Sequence, residues 1–251
     1  MTCPEADDRA PGVGGATLGV ARARARESAA ERPLFTDPYA RIFVEAVGQP
    51  GSGADPENHR SVANYAAART KWFDDFFLSS SATGLSQVVI LAAGLDARAW
   101  RLPWLRDTVI YELDQPKVLA FKTATLSTSG ARPAADYVPV AVDLGGDWPK
   151  TLTAAGFDHT EPTAWAAEGL LPHLTARERD RLFDRVTLYS ARGSRIGVDA
   201  SGAGGVAAAL CGHGWEANSV DAADILQRYH RAPAVPDDPL GLSVLIDAHL
   251  V

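Results

Sequence analysis

VVILAAGLDARAWRLPWLRDTVIYELDQP, residues 88–116, holds two apolar runs joined through a single glycine turn. The first run, Val88–Ala93, is continuous and opens on β-branched residues, the pattern of a central parallel strand covered on both faces. It ends at Gly94, turns at Leu95–Asp96 and continues as an amphipathic stretch, Ala97–Leu105, expected to be a short helix. The second run, Thr108–Leu113, terminates in a carboxylate, Asp114, with Glu112 two residues earlier. Pro116 then opens the next helix, where its missing N–H costs nothing. Strand, glycine turn, helix, strand and acid make the first half of a doubly wound nucleotide-binding unit. The glycine lets the backbone approach a ligand, and the acid at the next strand end suits a ribose diol. With one glycine and no G-x-G-x-x-G, a dinucleotide pyrophosphate is poorly provided for. On these residues alone two readings fit. One is a nucleoside-type cofactor site; the other is a bare structural unit, with Gly94 a tight turn and Asp114 a cap before Pro116.

Bulk properties narrow the class. At 251 residues the chain suits one large α/β domain, and 46% hydrophobic residues are enough for a sizeable core. A net charge of −7 argues against nucleic acid or an anionic membrane as partner, with Arg22, Arg24 and Arg26 a small local exception. Cys3 and Cys211 are too few for a disulfide framework, which fits a reducing cytoplasm. No apolar run approaches a membrane span, and Met1–Thr17 lacks the apolar core of a signal peptide. The expected location is cytoplasmic.

Outward from the central unit, residues 1–16 read as a disordered lead and 17–251 as one domain, with a helical cap over 17–86 and the sheet core over 87–251. Leu18–Ala30 and Tyr39–Val47 are expected helices, and Gln49–Glu57 a turn-rich loop. From Ser61 a longer amphipathic helix begins, with Val62, Tyr65, Trp72, Phe73 and Phe76 on one stripe. Arg69 falls on that stripe. A guanidinium on an apolar face needs an anion, either a protein carboxylate such as Asp37 or Asp75 or the carboxylate of a ligand.

Downstream, Lys117–Leu126 is a helix and Tyr137–Asp143 a third strand ending in an acid. Trp148–Ala155 reads as a crossover helix, and Thr163–Ala167 as a fourth strand, followed by Glu168. Acids at successive strand ends line the edge where open α/β sheets bind ligands. Thr175 and Glu178 form a capping box that opens a helix to about Ser190. Ile196–Asp199, Trp215–Val220 and Leu242–His249 are the remaining strands, with a glycine loop at Ser201–Gly205 and helices at Val206–Cys211 and Asp221–His230. The six histidines are dispersed and show no metal-ligand spacing, and there is no P-loop or nucleophile elbow.

The segments RTKWFDDFF (69–77), QVVILAAGLDARAWRL (87–102), VIYELDQPKVLAFK (109–122), VAVDLGGDWPKTL (140–152), GFDHTEPTAWAAEGLLPHL (156–174) and GSRIGVD (193–199) together carry a resemblance. They are similar to an actinobacterial family of S-adenosylmethionine-dependent methyltransferases. That family is related to leucine carboxyl methyltransferase and to polyketide carboxyl and hydroxyl O-methyltransferases. RARARESAAERPLFTDPYA (22–40) matches its N-terminal pattern as well. The likeness covers most of residues 17–199.

The resemblance implies a Rossmann-like class I methyltransferase fold: a mostly parallel seven-stranded sheet with helices on both faces and an N-terminal helical cap. It implies S-adenosyl-L-methionine as cofactor and a small-molecule acceptor, with no nucleic acid or membrane partner; a homodimer is left open. By position, Arg69 would hold the cofactor carboxylate, and Ala93, Gly94 and Asp96 would lie against its methionine part. Asp114 would hold the ribose hydroxyls, Asp143 and Leu144 the adenine, and Glu168 the methionine amine near the substrate entrance. Two departures stand out. Ala200–Ala209 is shorter and richer in glycine and alanine than the family's lid segment, and His173 stands where relatives tend to carry tyrosine. A carboxylate acceptor needs no base, whereas a hydroxyl does, and His173 is the candidate, with a solvated loop histidine as the alternative. Trp165, Tyr39 and Trp72 are either acceptor-site or core aromatics. Rival functions are a cofactor-binding regulatory or accessory protein without turnover and a nicotinamide-dependent oxidoreductase.

Overall fold

The apolar run after Ser86 becomes β1 (Gln87–Leu91), buried at every residue because helices cover both of its faces. In the computed structural model, residues 13–48, 56–201, 205–231 and 243–251 are described. The strands that follow are β2 (Val109–Asp114), β3 (Asp136–Ala141), β4 (Thr163–Ala167), β5 (Arg195–Ser201), β6 (Trp215–Asp221) and β7 (Ser243–Leu250). They form one sheet in the order β3-β2-β1-β4-β5-β7-β6. The pairs from β3 to β5 are parallel, and β7 inserts antiparallel between β5 and β6. The strand order reverses between β1 and β4, and the carboxyl ends of these two strands open the crevice in which such sheets take ligands.

Alternation along β1 divides the molecule into two cores. Val89 and Leu91 face one, Val88 and Ile90 the other. The first is closed by α6 (Trp148–Ala154), α7 (Ala176–Leu188) and α8 (Val206–Gly212) through Trp148, Leu152, Phe183, Val186 and Leu210. The second is closed by the cap helices α1 (Gly15–Ser28), α2 (Pro38–Val47) and α3 (Pro56–Ala82) together with α4 (Arg98–Arg101), α5 (Pro116–Thr128) and α9 (Ala222–Arg228). Trp165 is fully buried in the first core; Tyr39 and Trp72 pack partly buried against the second. These aromatics are packing residues.

Local chemistry explains most boundaries. Asp37 caps α2 by accepting from the N–H groups of Tyr39 and Ala40, Pro116 sits in the first turn of α5, and Thr175 and Glu178 make a reciprocal capping box on α7. Several expectations need correction: α3 opens at Pro56 rather than Ser61, taking in the last two residues of the loop expected at 49–57. Ala97–Leu105 is a single helical turn, Arg98–Arg101, because Leu102 is extended ahead of Pro103. Val62 is 49% exposed, so the buried stripe of α3 begins at Tyr65. The first helix begins at Gly15, inside the expected lead. Residues 1–12, most of the loop at 49–57 and residues 202–204 of the shortened segment lie outside the described residues.

Cap and sheet meet closely at Gly197 on β5. A Cβ there would sit 3.2 Å from ring carbons of Phe73 and Phe76 on α3. Gly197→Ala is expected to push α3 off the sheet and lower stability by about 1–3 kcal/mol, read from the chemical denaturation midpoint.

Candidate functional site

At the carboxyl end of β1 the chain turns back within a few residues. Ala92 and Gly94 both hold φ of +51°, a left-handed conformation natural for Gly94 and strained for Ala92. The turn is pinned from β2: the Gly94 N–H donates to Asp114 Oδ2 at 2.6 Å, while Asp114 Oδ1 accepts from Gln115 N–H at 2.7 Å. Asp114 thus shapes the turn rather than capping α5, whose N-cap is Gln115. Thr17 of α1, itself part of the lining of the adjoining cavity, lies so close to Gly94 that a Cβ there would be 2.9 Å from its methyl.

The turn forms one wall of a cavity of about 470 Å³ between the strand ends and α1. Arg69, Ala93, Gly94, Asp96, Asp114 and Glu168 all line it, and His173 lines it too, exposed at the end of the 3-10 turn Leu171–His173. Asp143 and Leu144 are not among the lining residues. They follow β3 beside β2, where the Val142 N–H donates to Asp114 O at 2.9 Å, and the exposed Asp143 carboxylate accepts from the Gly145 N–H at 2.9 Å.

Arg69 answers its buried-charge problem differently from either protein partner expected. Its Nε donates to Glu168 at 3.0 Å and its Nη1 to Asp199, within β5, also at 3.0 Å. Asp37 instead pairs with Arg24, and Asp75 with Lys71. Glu168 is shared with Arg98, whose Nη1 donates to it at 2.8 Å. Arg98 also binds Asp74 at 2.7 Å and Asp96. Asp74 in turn takes both Nη groups of Arg101 at 2.6 and 2.7 Å. The result is a continuous run of buried guanidiniums and carboxylates from the cap to the strand ends.

Sequence reasoning passed over Arg98, Asp74, Arg24 and Asp199 as members of the site. Asp199 did carry a signal, being one more acid at a strand end. Arg98 and Asp74 carried none that distinguishes them from solvated helix residues. Arg24 stands in the basic patch of α1, yet it is buried, lines the cavity and donates to Leu95 O at 2.6 Å.

The charges set the protonation states. Burial alone would raise the carboxyl of Asp96, but Arg98, Arg24 and Lys122 overcome it and hold the group at about 2. Burial likewise opposes ionisation of Glu168, and Arg98 and Arg69 outweigh it, keeping the carboxylate below its usual range. For Arg69 desolvation is outweighed by Asp199 and Glu168, so the guanidinium stays charged. The cavity therefore presents a fixed cation, Arg69, beside a fixed anion, Glu168, with a hydrogen-bond acceptor, Asp114, further along. That donor set and volume match a zwitterionic amino-acid tail joined to a ribose, so S-adenosylmethionine fits the residues present.

Comparison with known proteins agrees. The leucine carboxyl methyltransferase family profile matches residues 17–187. A protein of Mycolicibacterium gilvum (strain PYR-GCK) named "Putative S-adenosyl-L-methionine-dependent methyltransferase" is 55% identical over 226 residues, 89% of this chain and 90% of its own length. Among solved structures, a DUF574 family protein from Streptomyces avermitilis superposes with a TM-score of 0.56 at 14% identity, over 92% of this chain and 97% of that one. Magnesium protoporphyrin IX methyltransferase from Synechocystis PCC 6803, solved with bound SAM, gives 0.55 at 10% identity, over 93% and 97%. At such identities these two likenesses are of fold.

Two outcomes test the site as a physical object. Because Asp96 gives up its proton more readily folded than unfolded, its stabilisation is complete above pH ~4 and is lost as pH falls toward 2. Asp96→Asn is expected to flatten that acid limb in thermal melts across pH 2–5. Gly94→Ala, strained at positive φ and crowded by Thr17, is expected to lower stability by about 1–2 kcal/mol in denaturant titrations.

Proposed function

This chain belongs to the leucine carboxyl methyltransferase family and is an S-adenosylmethionine-dependent methyltransferase, and from that premise we propose that it methylates a carboxylate or hydroxyl oxygen of a small molecule. The observation that supports the reading most is the single cavity shared by Arg69, Ala93, Gly94, Asp96, Asp114 and Glu168.

S-adenosylmethionine supplies a methyl group activated by the positive charge of its sulfonium sulfur. In this proposal Arg69 holds the cofactor carboxylate, Glu168 its amine, and Asp114 the ribose hydroxyls. Asp143 and Leu144, which follow β3 and do not line the cavity, would take the adenine. Ala93, Gly94 and Asp96 bring backbone close to the methionine part, because a glycine at φ +51° leaves no side chain in the way. The protein's contribution is alignment and exclusion of water.

The family name specifies a carboxyl acceptor, which is ionised at neutral pH and asks for no base. A hydroxyl acceptor would ask for one, and His173 is the titratable side chain at the cavity mouth that could take the proton.

Calorimetric titration with S-adenosylmethionine tests the assignment residue by residue. Asp114→Ala is expected to weaken binding by about tenfold to a hundredfold, with a stability loss of about 1–3 kcal/mol because the Gly94 N–H loses its acceptor. Arg69→Ala should weaken binding comparably. It also takes the guanidinium away from Asp199 and leaves Glu168 with Arg98 alone, so a stability loss of about 3–5 kcal/mol accompanies it. His173→Ala should leave cofactor affinity intact; with labelled methyl donor it slows transfer to hydroxyl acceptors and spares transfer to carboxylates. Near-wild-type affinity in Asp114→Ala would refute the ribose assignment.

A further inference from the structure

Beneath the turn that carries Gly94 and Asp96 lies a charged pair with no place among the cofactor contacts proposed for this chain. Glu112 on β2 and Lys122 on α5 are both fully buried and form a salt bridge. Lys122 Nζ also donates to Asp96 O at 3.1 Å. The first turn of α4 closes on Ala97 O, which takes the N–H groups of Trp100 and Arg101; the carbonyl one residue earlier is met by the lysine.

Glu112 precedes Asp114 by two residues, so both carboxylates leave the same face of β2. That face carries Ile110 and packs against Leu126 of α5. Asp114 accepts from Gly94 N–H on one side of the turn, and Lys122, neutralised by Glu112, donates to Asp96 O on the other. β2 and α5 therefore tether the turn at its two ends. A buried ammonium is costly, and an apolar side chain would fill the same space more cheaply; what the ammonium adds is a donor for Asp96 O.

We propose that Glu112 and Lys122 are a positioning pair: Lys122 fixes the Asp96 carbonyl, Glu112 makes the buried lysine tolerable, and the clamped turn presents Gly94 and Asp96 to the cofactor. This rests on the cavity being the S-adenosylmethionine site. Burial pushes the Glu112 carboxyl upward and Lys122 pulls it back down, so without the lysine it takes up a proton instead of remaining a stranded charge.

The test uses the full chain, Lys122→Met and the double variant Glu112→Leu/Lys122→Met. Affinity for S-adenosylhomocysteine is measured by calorimetry, and exchange of the amides of residues 94–98 is followed in the free protein. Both variants are expected to bind about tenfold more weakly than wild type, with exchange at the turn faster by a similar factor. Replacing both charges by apolar side chains is expected to restore the melting temperature without restoring affinity. Affinity that recovers in the double variant, or that stays within about twofold of wild type in Lys122→Met, would overturn the positioning role and leave the cavity assignment standing. A wild-type chain that binds no S-adenosylhomocysteine would refute the cavity assignment and the pair's role with it.

Discussion

Glu168 shared between Arg69 and Arg98 is the contact on which the rest of the architecture depends. It joins the end of β4, the cap helix α3 and the start of α4 at one point. From it the charges run through Asp74, Arg101, Asp37 and Arg24 into α1 and α2, and through Arg69 to Asp199 on β5. Removing one partner from such a buried pair costs about 3–5 kcal/mol, since the other charge is left desolvated. The cap is thus bound to the sheet by charge as well as by the Phe73, Phe76 and Phe77 surface. Ionic contacts are directional where apolar ones are not, which holds Arg69 and Glu168 to a defined geometry at the cavity.

The sheet contributes position. Reversal of strand order between β1 and β4 opens the crevice, and Asp114 at the end of β2 and Glu168 just after β4 line it because parallel strands finish on the same side. Their partners differ. Asp114 is held by a backbone N–H, Glu168 and Asp199 by guanidiniums, and the exposed Asp143 by the glycine two residues on. One repeated motif, an acid at a strand end, therefore does several different jobs.

Much of the sheet was legible in the sequence because continuous apolar runs such as Val88–Leu91 have few alternatives to a covered strand. Caps were legible for a local reason: Thr175 with Glu178, and Pro116, act on their own backbone neighbourhood. The turn at Gly94 and the acid at Asp114 could be read as a pair, and they meet through a single hydrogen bond. What escaped was non-local. Arg69 clearly needed an anion, but Glu168 and Asp199 are 99 and 130 residues away, and nothing in the helix pattern points to them. Nothing in the amphipathic stretch Ala97–Leu105 singled out Arg98, which the single turn before Pro103 buries among four acceptors. The antiparallel insertion of β7 likewise depends on pairing partners that periodicity does not encode.

A crystal structure of the full chain with S-adenosylhomocysteine is the most direct test of the central claim. The account predicts the amino-acid tail between Arg69 and Glu168, the ribose on Asp114, and Arg98 still joined to Asp74 and Glu168. A ligand seated away from Glu168, or an Arg98 released from it when the cavity fills, would contradict the claim that this ionic junction builds the site.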